Sequence, residues 1–122
     1  MCSDTLSEPL RILQLEDAPA DAELNERMLR KAGIVFNSWR VDTLNAFAAA
    51  LDTFHPDIIL ADYHLPGFDG LDALVIAREK SPQTPYIFVS GAMGEELAVN
   101  SIKQGATDYI IKDRLARLPE AV

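Results

Sequence analysis

Two stretches of this chain, "DIILAD" (residues 57–62) and "PYIFVSG" (residues 85–91), each hold an uninterrupted apolar run about one strand long, ending at Asp62 and at Ser90. A strand with one wet face alternates apolar and polar residues. A strand that is apolar at every position needs cover on both faces, the condition of strands inside a parallel sheet. Parallel neighbours cannot be joined by a tight turn, so the chain must cross over between them, usually through a helix. The intervening segments have helical character. "PADAELNERMLRKAG" (19–33) carries Pro19 at a first-turn position and Gly33 just past the end. Its Ala20, Leu24, Met28 and Ala32, with Leu29 beside them, predict one apolar stripe. "TLNAFAAALDTF" (43–54) places Leu44, Phe47, Ala48 and Leu51 on one face, with Thr43 or Asp42 as cap. "DGLDALVIAREK" (69–80) is a third helix with Leu71, Leu74 and Val75 inward, and "GEELAVNSIKQG" (94–105) a fourth, closed by Gly105.

Three further strands complete the pattern. "LRILQLED" (10–17) comes first, ending in two acids. "IVFNSWRV" (34–41) has mixed faces and suits an edge, and "DYIIK" (108–112) ends in Lys112. "DRLARLPEAV" (113–122) starts a fifth helix that Pro119 leaves little room to extend. Strand and helix alternate five times. The prediction is one α/β domain: a doubly wound five-stranded parallel sheet with right-handed crossovers and helices on both faces. The domain is expected over residues 10–122, behind a polar leader at 1–9.

The chain's 122 residues suit one domain, and 48% hydrophobic content suffices for a core. Nineteen acidic residues against 11 basic leave a net charge of −8, which argues against a nucleic-acid partner and against anionic membranes. The single cysteine, Cys2, rules out a disulfide within the chain. No apolar run reaches membrane-spanning length and no signal peptide opens the sequence, so a cytoplasmic location is expected.

In an open parallel sheet, ligands bind beyond the carboxyl ends of the strands. Four of the five strands carry a polar group there: Glu16 and Asp17, then Asp62, Ser90 and Lys112. Singly, each has an ordinary reading. Asp62 could punctuate a strand, Glu16 and Asp17 could cap a helix, Ser90 could open a turn, and Lys112 could be a solvated lysine. Together they make three carboxylates, a hydroxyl and an ammonium. Carboxylates so grouped repel, and a divalent cation relieves the repulsion. All-oxygen ligands select a hard ion such as Mg²⁺, whose open positions suit phosphoryl oxygens. A carboxylate can then act as nucleophile toward phosphorus.

These pieces, "LQLED", "IILADYHLPGFDG", "FVSGA" and "GATDYIIK", resemble the receiver domain of two-component response regulators over about residues 10–118, in the family's order and near its spacing. The resemblance implies a CheY-like fold with strand order 2-1-3-4-5 and a phosphorelay function. Asp62 is implied as phosphoacceptor, taking its phosphoryl group from a phosphohistidine on a histidine kinase or histidine phosphotransfer protein. Mg²⁺, or Mn²⁺ in its place, would be held by Asp17, Asp62 and the main-chain carbonyl of His64, with Glu16 acting through water. Ser90 and Lys112 would hold the phosphoryl group, and Tyr109 would be the aromatic that moves inward on activation. The output face, also a candidate homodimer face, would be the fourth helix, fifth strand and fifth helix. Receivers assist their own phosphorylation and dephosphorylation but turn over no small substrate. Three departures stand out. Glu16 replaces the commoner Asp, Ser90 the commoner Thr, and Asp113 the proline that usually follows the lysine in a cis peptide. "IIKDRLARL" is similar to receivers attached to sensor kinases, which would make the chain part of a hybrid kinase. The alternative is a pseudo-receiver used for docking alone. A phosphohydrolase is disfavoured, because such enzymes commonly place a second acid two residues after the nucleophile, where this chain has His64. His64 is expected to point its side chain to solvent. His55, before Pro56, is expected to be structural, Cys2 inert and Trp39 edge packing.

Overall fold

The computed structural model describes residues 9–91, 95–111 and 118–121. Five strands, β1 (Leu10–Leu15), β2 (Phe36–Val41), β3 (Ile58–Ala61), β6 (Tyr86–Ser90) and β7 (Asp108–Ile111), form one parallel sheet in the order β2-β1-β3-β6-β7. This is the expected 2-1-3-4-5 arrangement. The two apolar runs that opened the sequence, now β3 and β6, lie inside the sheet, and the mixed strand β2 lies at its edge. Between β3 and the third helix, β4 (His64–Leu65) and β5 (Phe68–Asp69) form a small antiparallel ribbon. Pro66 and Gly67 make its turn. Gly67 has φ +83, which a glycine adopts freely. The sequence pattern suggests only a loop there, because two-residue strands have no periodicity to read.

Helices α1 (Pro19–Lys31), α2 (Leu44–Thr53), α3 (Gly70–Lys80), α4 (Glu95–Lys103) and α5 (Leu118–Ala121) follow the strands. Pro19 opens α1, and Gly33 and Gly105 take positive φ just beyond α1 and α4. Thr43 caps α2, its hydroxyl accepting from the Ala46 amide at 3.1 Å. Asp69 caps α3 through a box: its carboxylate accepts from the Leu71 and Asp72 amides, and Asp72 accepts from the Asp69 amide. Pro119 is the second residue of α5 as described, and the expected start of the fifth helix at Asp113 lies outside the described residues.

The core lies in two layers, one on each face of the sheet. Leu13, Leu15, Ile59, Tyr86 and Phe88 meet Phe47 and Leu51 of α2 and Ala73, Leu74 and Ala77 of α3. On the other face, Ile12, Leu60, Ile87, Val89 and Ile110 meet Leu29 of α1 and Leu118 of α5. Two expected stripes are rotated. In α1 the buried residues are Ala22, Asn25 and Leu29, while Ala20, Leu24 and Ala32 are exposed. The reason is polar: Asn25 turns inward to hydrogen-bond Gln14 of β1. In α3, Val75 is 58% exposed and small Ala73 and Ala77 face inward, letting the helix approach the sheet closely. Among the described residues no helix is long and apolar enough to cross a membrane.

Candidate functional site

The ends of β1 and β3 are tied together. The Asp62 amide donates to the Leu15 carbonyl at 2.9 Å, so the residue after β3 lies beside the two that follow β1. Glu16, Asp17 and Asp62 each bring a carboxylate oxygen into one group whose members lie within 4.8 Å of one another. Their exposure is graded. Glu16 is 2% exposed, Asp62 is intermediate and Asp17 is open to solvent. The Glu16 carboxylate folds back to accept from the Ala18 amide at 3.2 Å. Asp62 Oδ1 accepts from the Tyr63 amide at 2.7 Å and from the Ser90 hydroxyl at 3.1 Å. Ser90 closes β6, the strand next to β3, and is itself buried. The structure therefore brings four of the expected groups, Glu16, Asp17, Asp62 and Ser90, to one edge of the sheet. Three oxygen donors at this separation suit a hard divalent ion, and the exposed Asp17 side leaves room for its remaining ligands.

The other expected residues stand around this group. His64 opens the β4–β5 ribbon with its side chain exposed, edge-on to the Tyr63 ring at 5.0 Å between centroids. Tyr109 is half-buried on β7, in register with Phe88 and packed against the α2/α3 core layer. Lys112 and the Lys112–Asp113 bond lie outside the described residues. The floor of the site is aromatic: Tyr63, Phe88 and Tyr86 pack in succession. Burial pushes the Tyr86 hydroxyl well above its ordinary value near 10, as does the nearby Asp69 charge, against a smaller opposing pull from Arg78. Tyr63 is raised in the same direction, by burial first and then by Asp69 and Asp72.

Two residues that the sequence pattern left aside touch the site. Gly70, the first residue of α3, has no room for a side chain. A Cβ there would lie 2.5 Å from the Asp62 carbonyl oxygen and 2.5 Å from the Phe88 ring. Its amide donates to Tyr63 O at 2.7 Å, and its own carbonyl accepts from the Tyr86 hydroxyl at 2.7 Å. A glycine opening an otherwise good helix is a signal of close backbone approach. Arg40, on the edge strand, donates from Nη1 to the Glu16 carbonyl at 3.0 Å. Nothing in its sequence context marks it.

Comparison with known proteins agrees with this geometry. The chain is 33% identical over 87 residues to the DNA-binding transcriptional regulator NtrC of Proteus hauseri, covering 71% of this chain and 18% of that protein. It is 32% identical over 103 residues to the cell cycle transcriptional regulator CtrA of Caulobacter vibrioides, covering 84% of this chain and 44% of the relative. The chain thus spans less than half the length of these curated relatives. The signal receiver domain of a LuxO repressor protein from Vibrio parahaemolyticus superposes with a TM-score of 0.82 at 25% identity, covering 93% of this chain and 87% of that one. The family described as the response regulator receiver domain matches residues 12–122. With the sheet order, the carboxylate group at the sheet edge and this match in hand, the chain belongs to the response regulator receiver domain family.

Proposed function

We propose that Asp62 is the phosphoacceptor of this receiver. The observation that carries the reading is the carboxylate group itself: Glu16, Asp17 and Asp62 within 4.8 Å of one another, with the Ser90 hydroxyl on Asp62 Oδ1. The donor set fits Mg²⁺, with Mn²⁺ as substitute. Asp17, Asp62 and the His64 main-chain carbonyl would hold it, and Glu16 would act through water. When bound, such an ion neutralises charge on the carboxylates and on the phosphoryl oxygens.

The Asp62 carboxylate attacks the phosphorus of a phosphohistidine on a histidine kinase or phosphotransfer protein. A P–O bond forms, the P–N bond breaks, and the imidazole leaves with the bonding electron pair and takes a proton. The Ser90 hydroxyl donates to a phosphoryl oxygen in place of its present bond to Asp62, and Lys112 supplies a second positive partner. Movement of Ser90 toward the phosphate vacates space into which Tyr109 turns. The change is read out on the face of α4, β7 and α5, by an output partner or a second copy of the chain. The receiver assists its own phosphorylation and later hydrolysis and turns over no small substrate. The receiver domain is assigned to residues 10–122, and its similarity to receivers attached to sensor kinases supports a place in a hybrid kinase.

Incubation with acetyl phosphate and Mg²⁺, followed by intact mass, tests this. One added phosphoryl group is expected, dependent on Mg²⁺ and absent in Asp62→Asn. An adduct that persists in Asp62→Asn would overturn the assignment.

A further inference from the structure

The second strand is the only one to which the sequence pattern assigns no site residue, yet it reaches the acid pair twice. The Val41 carbonyl accepts from the Glu16 amide at 3.0 Å, and Arg40 Nη1 donates to the Glu16 carbonyl at 3.0 Å. Both polar groups of the Glu16 main chain are therefore held from β2. The guanidinium has another acid near it, Asp42, but at 3.8 Å the contact is an ion pair without a short hydrogen bond. We propose that Arg40 is a positioning residue for the divalent-cation site. It fixes the main chain at Glu16 so that Glu16 and Asp17 stay beside Asp62. The inference rests on the metal reading of the carboxylate group.

Residues 16–18 are the whole connection between the end of β1 and Pro19. At the α1 end Ala18 supplies no side-chain cap, and its carbonyl accepts from the Asp21 and Ala22 amides at 3.1 and 3.2 Å. The Glu16 carboxylate bonds the Ala18 amide, so its direction follows the path of this short backbone. Three carboxylates within 4.8 Å push one another apart when no cation lies between them. Backbone bonds hold this connection at both ends, and the Arg40 guanidinium adds a side-chain tie to it. A charge-assisted hydrogen bond from an arginine resists outward displacement. The Arg40 side chain is 35% exposed, so its hold is partly screened by water.

The sign of the effect separates positioning from simple charge. Taking a positive charge away from the neighbourhood of a cation site, with nothing else changed, tightens cation binding. Loss of positioning loosens it. Titration calorimetry of the chain with MgCl₂ at fixed ionic strength reads the direction, for the wild type, Arg40→Ala, Arg40→Lys and Asp62→Asn. The expected result is about three- to tenfold weaker Mg²⁺ binding in Arg40→Ala, less than the roughly ten- to hundredfold of groups that bond a metal ligand's side chain, because Arg40 holds main chain and is partly screened. Arg40→Lys should recover most of it. The Mg²⁺ concentration needed for half-maximal labelling by acetyl phosphate should rise by the same factor, with the rate at saturating Mg²⁺ unchanged. Equal or tighter Mg²⁺ binding in Arg40→Ala overturns the proposal, as does a variant that unfolds at lower urea while keeping its Mg²⁺ affinity. If the wild type binds Mg²⁺, Asp62→Asn does not, and Arg40→Ala matches the wild type, only the role of Arg40 falls. If the wild type binds no Mg²⁺, the metal reading falls with it. Should Arg40→Ala fail to fold, Arg40→Lys against Arg40→Gln carries the same comparison.

Discussion

A Cβ on Gly70 would meet the Asp62 carbonyl oxygen at 2.5 Å, a contact that no side-chain rotation relieves because the obstacle is main chain. Gly70→Ala must therefore push α3 away from the end of β3. Overpacking of this kind costs about 1–3 kcal/mol, and the displaced strand end carries Asp62. Urea unfolding should show the loss of stability, and labelling by acetyl phosphate should slow at a Mg²⁺ concentration that saturates the wild type. Normal labelling in a stable Gly70→Ala would sink the idea that this close approach sets Asp62. The partner of Gly70 is Tyr86, whose buried hydroxyl donates to its carbonyl. Tyr86→Phe removes the hydroxyl's bond to a carbonyl that also serves the first turn of α3, and should lose about 0.5–1.5 kcal/mol at pH 7. Its pH dependence has a definite sign. The folded state holds the Tyr86 proton above the ordinary value near 10. The stability tied to that proton is fully present below about pH 10 and falls as pH rises beyond it, because the unfolded chain releases the proton first. Tyr86→Phe lacks this term, so its deficit should shrink when denaturation is repeated above pH 10. A deficit that stays constant with pH would show that Tyr86 does not hold its proton in the folded state.

At the scale of elements, α1 is attached to the sheet by polar as well as apolar contacts. Gln14 of β1 accepts from Asn25 at 3.0 Å and donates to Glu26 at 3.0 Å, and Glu26 accepts from Ser38 of β2 at 2.7 Å. The network joins α1 to the two strands that hold Glu16 and Arg40. Gln14 and Asn25 are buried, so a broken network leaves amides without partners. Gln14→Leu should destabilise the fold by about 1–3 kcal/mol. Gln14→Leu combined with Asn25→Leu should recover much of that loss, since an apolar pair strands fewer buried groups. Additive losses in the double variant, measured by chemical denaturation, would count against the network. The same network explains why the buried face of α1 differs from its apolar stripe. An i, i+4 search selects apolar side chains, and here an amide faces inward because its partner comes from a different element. In α3, likewise, Val75 outweighs alanine in a hydrophobic pattern, but helix-to-sheet distance favours the small residues inside.

For the whole molecule, the site and the fold share one cost, the mutual repulsion of Glu16, Asp17 and Asp62. Mg²⁺ should therefore stabilise the protein. At ten times its dissociation constant the gain is about 1.4 kcal/mol, or roughly 5 °C in melting temperature for a domain of this size. Asp62→Asn should melt higher than the wild type without Mg²⁺, because Oδ1 of asparagine can still accept from Tyr63 and Ser90 while one charge is gone. It should gain little when Mg²⁺ is added. A wild type whose melting is indifferent to Mg²⁺ would remove the cation from the reading.

Much of this protein was set by the order of its residues. Uninterrupted apolar runs alternating with capped helical segments dictate a parallel α/β sheet, because each such strand needs cover on two faces. Placing Glu16, Asp17, Asp62 and Ser90 at strand ends then directs them to one edge, since all parallel strands end on the same side. What the tertiary structure decided are the contacts between elements distant in the chain. Arg40 reaches Glu16 from an edge strand, Asn25 turns inward to Gln14, and Gly70 gives up its side chain to the carbonyl of Asp62. Periodicity reports which face of an element meets the core. It carries no information on which atom of another element will be waiting there.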